Sequence, residues 1–155
     1  MKVQHHKIEV AAAFAFLLIT TIAVFRTVGS AQSAKAAPAI TIAQLAGSWQ
    51  VTLVGNTGCG ISSMLFTGIL NPNGVAHGTL TGSSTGCAPS SDVQTFSITT
   101  LNANGSGTGS LTCGAGCGWA LNVQVNPSKT VMNLADVSPE NPDNVLAGTA
   151  VKQTE

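Results

Sequence analysis

Trp119, Leu121, Val123 and Val125 alternate with Ala120, Asn122 and Gln124. A period of two sends successive side chains to opposite faces, so this run is a half-buried strand and not an amphipathic helix. The pattern recurs along the chain. Trp49, Val51 and Leu53 alternate with Gln50 and Thr52; Met64, Phe66 and Leu70 share one parity; Phe96 and Ile98 alternate with Thr95, Ser97 and Thr99. Further runs over 75–82, 107–112, 131–137 and 145–151 bring the candidate strands to eight. No stretch after residue 45 repeats its apolar residues every 3.6 positions.

The connections carry hairpin chemistry. Asn71-Pro72-Asn73-Gly74 and Asn102-Ala103-Asn104-Gly105 both end in Asn-Gly, a pair that tolerates positive φ. Asn126-Pro127-Ser128-Lys129 is a third tight turn. Thr57-Gly58-Cys59 recurs as Thr85-Gly86-Cys87, and Leu80-Thr81 as Leu111-Thr112, so one weak repeat spans two strands and two turns. These features predict an all-β domain: an eight-stranded antiparallel up-and-down β-barrel, with a two-sheet β-sandwich as the alternative. Eight strands enclose just enough room for side chains or for one small ligand.

Residues 1–37 read as an export signal and short linker, with a single domain over 38–155. Lys2 and Lys7 precede an apolar run from Val10 to Phe25, and small residues around Ala31 and Ala36 offer two cleavage positions. The run is shorter than the roughly 20 residues that span a bilayer, so no stable membrane insertion is expected after cleavage. The expected location is periplasmic or secreted. Residues 38–155 carry two cations, Lys129 and Lys152, against five acids, for a net charge of −3. That balance excludes a nucleic-acid binder, which needs Lys and Arg to neutralise phosphates. Only 8% of the whole chain is charged and 44% is hydrophobic, which excludes intrinsic disorder.

In an up-and-down barrel alternate connections lie at one end. Cys59 falls in the first connection, Cys87 in the third, and Cys113 and Cys117 bracket the fifth. All four sulfurs therefore share one rim. An even cysteine count in an exported chain points to disulfides. Cys113–Cys117 across a hairpin neck with Cys59–Cys87 between rim loops is one arrangement, and three pairings remain open. A thiolate zinc site is the alternative, but paired short Cys-x2–4-Cys spacings are missing. No metal or cofactor is expected.

The segment Leu45-Ala46-Gly47-Ser48-Trp49-Gln50-Val51 resembles the Gly-x-Trp opening of lipocalins and their calycin relatives, including avidins. The resemblance implies that Gly47 and Trp49 start the first strand and plug the closed end of a barrel. It implies a short helical turn over Thr41 to Leu45, and Lys152 as the basic partner of the tryptophan. The departures exclude biotin as a ligand: avidins line their pocket with several Trp and a Tyr, whereas this chain has two Trp and no Tyr. The layout also resembles small bacterial metalloprotease inhibitors, which act through their mature N-terminus.

Among chemistry-bearing residues, His77 is the one imidazole after residue 37, and its parity opposes that of Leu80. It is expected to face solvent. A triad would need Asp92, Asp136 or Asp143 in space beside it, and no nucleophile-elbow motif is present. Asp136, Glu140 and Asp143 read as an exposed polar connection rather than a calcium loop. Asn122 and Gln124 are expected to point outward. Asn104-Gly105-Ser106 matches a glycosylation sequon and is equally an ordinary hairpin turn. No catalytic residue is assigned. The expected function is a non-enzymatic binding module holding a small apolar or amphipathic ligand among Val51, Leu53, Met64, Phe66, Phe96, Trp119, Leu121 and Met132. The alternative is a protein-interaction or protease-inhibitor barrel acting through its disulfide-stapled rim loops.

Overall fold

The computed structural model describes residues 38–112, 118–138 and 145–154. The segment read as an export signal, together with Cys113, Cys117, Glu140 and Asp143, lies outside the described residues. A turn of 3-10 helix at Ile42–Leu45 is followed by eight strands: β1 (Gly47–Thr57), β2 (Gly60–Leu70), β3 (Val75–Ser84), β4 (Ser90–Leu101), β5 (Ser106–Thr112), β6 (Gly118–Val125), β7 (Val131–Asp136) and β8 (Val145–Lys152). Each strand pairs with the next, and β8 returns to pair with β1. All pairs are antiparallel, so the sheet is a closed up-and-down barrel and not a sandwich. Closure leaves no sheet edge open to pairing with another chain.

Alternation sets the two faces. Trp49, Val51 and Leu53 on β1 are buried, while Gln50, Thr52 and Val54 are exposed. Val51 pairs with Phe66 on one side and Ala150 on the other, so the inward rows run continuously across the seam. The Phe66 ring lies over Gly68 and Gly78, where a Cβ would come within 2.8 Å of its Cζ. Those two gaps admit a bulky ring to a narrow barrel. Phe66 and Phe96 pack with ring centroids 6.0 Å apart. In β4 the register shifts between Ile98 and Thr100, a bulge that turns both Thr99 and Thr100 hydroxyls toward Thr108.

The even connections form the closed end. In the β2–β3 and β4–β5 turns the fourth residue, Gly74 (φ 83°) or Gly105 (φ 86°), is left-handed and donates its N–H to the carbonyl of Asn71 or Asn102 at 2.9 Å. The β6–β7 turn has the same form, with Lys129 at φ 61°. Each turn then binds the next strand: Gly74 O accepts from Ile98 N, Gly105 O from Val125 N, and Thr130 O from Lys152 N, each at 2.8 Å. Ile40 and Leu45 are buried over this end, and Ile40 N donates to Ala103 O at 3.2 Å.

Candidate functional site

At the closed end the first and last strands meet around one tryptophan. Trp49 is buried and its Nε1 donates to Leu45 O at 2.7 Å. The Lys152 ammonium stands 6.0 Å from the Trp49 ring centre. Gly47 (φ 135°) makes room for that side chain, since a Cβ there would lie 2.8 Å from Lys152 Cε. The structure thus brings Gly47, Trp49 and Lys152 together.

The eight side chains expected to line a ligand all face inward. Val51, Leu53, Phe66, Phe96, Leu121 and Met132 are 0–1% exposed. These six are packed into the core with no water-sized void against them. Met64 at 8% and Trp119 at 6% lie nearer the opposite end and keep some accessible surface.

That opposite end is the rim formed by the odd connections. Cys59 and Cys87 are joined by a disulfide, with Cα atoms 5.3 Å apart, tying the β1–β2 connection to the β3–β4 connection. Gly86 N donates to Cys59 O at 2.8 Å and Thr85 N to Ile61 O at 3.0 Å, so backbone bonds reinforce the link. Two buried polar side chains face inward just below. Ser62 Oγ meets Thr57 Oγ1 at 2.7 Å, and Gln94 Oε1 accepts from Thr112 Oγ1 at 2.8 Å. On the outside of this end Ile61, Val54 and Val145 are 71%, 53% and 64% exposed. Ile61 and Val145 flank the exposed Asn56 in the pairing of β2, β1 and β8, with Val54 two residues along β1 on the same face.

Among the described residues charge is segregated along the barrel axis. Lys129 and Lys152 sit at the closed end, whereas Asp92 and Asp136 sit on the rim ends of β4 and β7. Asp136 Oδ1 accepts from Ser138 N at 2.8 Å and Ser138 Oγ at 2.6 Å, and Ser138 Oγ accepts from Ala120 N at 2.9 Å. Asp136 therefore closes β7 against β6. His77 is exposed on the wall and its Nδ1 lies 3.0 Å from Thr95 Oγ1. Neither Asp92 nor Asp136 neighbours it on paired strands. Among the described residues no group of three His, Cys, Asp or Glu could hold a metal.

The outer wall carries a feature that alternation alone does not reveal. A groove of about 530 Å³ crosses the outside of β4 to β7. Pairing aligns Thr100, Thr108, Asn122 and Ala135 in one cross-strand row. Ser106, Gln124 and Asn133 form the adjoining row. Asn122 and Gln124 point outward, as their parity requires. Their partners Thr108 and Asn133 were not among the sequence candidates; the one local signal was asparagine in mid-strand, where it is disfavoured.

An apolar interior within a hydroxyl- and amide-bearing wall is the reverse of a membrane barrel, whose lipid-facing wall is apolar. Among the described residues no helix is long and apolar enough to cross a membrane. The fold fits a calycin-like barrel at the level of architecture. Comparison with protein-family models, curated proteins and solved structures gives no match.

Proposed function

We propose that this chain is an exported, non-enzymatic binding protein that meets a basic protein partner at its disulfide-tied rim. The observation that carries this reading is the packed interior. A carrier barrel needs a cavity on the order of 300 Å³, and six of the eight inward candidates have no space of even one water against them. Binding energy must then come from outer surfaces. The rim supports it in three ways. Its loops are held by Cys59–Cys87, which lowers the ordering cost of contact. Ile61, Val54 and Val145 offer exposed aliphatic side chains around Asn56 beside it. Among the described residues its charges are the acids Asp92 and Asp136, opposite in sign to Lys129 and Lys152 at the other end, which steers a cationic surface toward this face. An export compartment is the oxidising setting in which such a disulfide persists.

A small apolar ligand seated in the rim mouth is the second reading, favoured by the residual accessibility of Met64 and Trp119. Native mass spectrometry of the protein from its export compartment separates the two. A photo-crosslinker at position 61 should capture a protein whose yield falls between low and high salt, while one at position 50 should not. A bare chain with that captured partner supports rim docking. A small molecule that is carried through purification and leaves on denaturation overturns it in favour of the mouth.

A further inference from the structure

We infer that the groove across the outside of β4 to β7 is a binding site for a neutral, polyhydroxylated ligand, an uncharged oligosaccharide. This rests on the wall of the barrel and is independent of the rim. The argument starts from how the domain uses its asparagines. Asn71, Asn104 and Asn126 stand in turns, and their Oδ1 atoms accept backbone N–H bonds from Val75, Ser106 and Thr130 at 2.9–3.1 Å. Their side chains serve the local backbone, which is why this residue type suits turns. Asn122 and Asn133 are different. Both stand in mid-strand and are exposed. Among the described residues no side-chain hydrogen bond engages either amide. Asparagine is unfavourable in a strand; Asn56, near the end of β1, is the other exposed strand asparagine with no side-chain bond among the described residues, and it stands alone between Ile61 and Val145.

The register gathers these two amides with hydroxyls. Asn122 lies between Thr108 and Ala135, and Asn133 beside Gln124. Thr108 Oγ1 is held by Thr100 Oγ1 at 2.7 Å, and Gln124 Nε2 by Asn104 O at 3.1 Å. The flanking groups are therefore fixed while the two asparagines remain available. Each amide presents two donors and an acceptor, a match to vicinal hydroxyls, which both donate and accept. Ala135 places a methyl group between them for the C–H face of a sugar ring. Neighbours within a row stand about 4.8 Å apart, the interval between paired strands, which suits a chain of repeating hydroxyls.

Chemistry excludes the competing occupants. The groove lining holds no ionisable side chain, so nothing compensates a phosphate, carboxylate or ammonium. An extended peptide that adds to a sheet needs an open edge, and the barrel has none. An acyl chain would strand the amides without partners.

The test uses the mature, disulfide-intact protein. Cellohexaose, maltohexaose, laminarihexaose and chitohexaose are each titrated while side-chain amide NMR resonances are followed. At least one should bind at up to about 10 mM, shifting the Asn122 and Asn133 amides, with affinity unchanged by salt. Asn122→Val with Asn133→Val removes both amides and installs better strand formers, so the barrel is retained; binding should fall by roughly tenfold or more. Gln50→Ala, on the opposite wall, should leave binding as it is. Failure of all four sugars to bind, or binding undiminished in the double variant, would overturn the inference.

Discussion

The Lys152 ammonium stands 6.0 Å from the Trp49 ring centre, so the last strand of the barrel lies over the first buried side chain of β1. The same indole donates to Leu45 O at 2.7 Å and fastens the helical turn beneath. The helical turn and the last strand thus meet on one residue of the first. Trp49→Phe keeps most of the packing and loses the hydrogen bond, an expected cost of about 1 kcal/mol. Trp49→Ala should cost about 3–5 kcal/mol. Lys152→Met, which preserves the aliphatic stem, should cost about 0.5–1 kcal/mol. Urea unfolding with intact disulfides measures all three; equal losses for Phe and Ala would refute the division.

Lys129 occupies a left-handed position at φ 61° that glycine fills in the two equivalent turns. Lys129→Gly is therefore expected to stabilise the domain by up to about 1 kcal/mol. The converse holds at Gly74, where a Cβ would also lie 2.6 Å from Ile98 O. Gly74→Ala should lower stability by more than about 1 kcal/mol. Thermal midpoints moving in the same direction for both would contradict this account.

Cys59 and Cys87 close a loop of sequence separation 28. Removing the bond as Cys59→Ser with Cys87→Ser should cost about 3 kcal/mol, mainly through the unfolded chain. The pairing of β1 with β2 and of β3 with β4 does not depend on the sulfurs, so the far-UV spectrum should persist at low temperature. Loss of that spectrum would mean that the rim link is needed to form the sheet.

Thr112 Oγ1 accepts from Thr95 N at 2.9 Å and donates to the buried Gln94 Oε1 at 2.8 Å. Thr112→Val deletes both bonds and leaves a backbone donor and an inward amide short of a partner, an expected loss of about 2–3 kcal/mol. Adding Gln94→Leu should recover part of that loss, since the orphaned amide is then gone. A double variant no more stable than Thr112→Val would show that Gln94 finds another partner.

Much of this architecture was legible in the alternation of residues such as Trp119 to Val125. Side-chain parity is a local consequence of strand geometry, and the turn residues Asn71 to Gly74 and Asn102 to Gly105 set where each strand reverses. Counting connections likewise placed Cys59 and Cys87 at one end, where they are joined. The same count puts Lys129 and Lys152 at the end opposite Asp92 and Asp136.

Parity says which face a residue takes but not which residues stand beside it. That Asn122 lies between Thr108 and Ala135 depends on the register of three strands and on the bulge between Ile98 and Thr100. That the Phe66 ring fits inside the barrel depends on Gly68 and Gly78 standing beneath it. The sequence by itself determined the strands, their order and the contents of the interior, because these follow from periodicity and turn chemistry near in the chain. Only the tertiary structure decided the packed core and the outer groove, because packing density and cross-strand neighbours arise when distant strands meet.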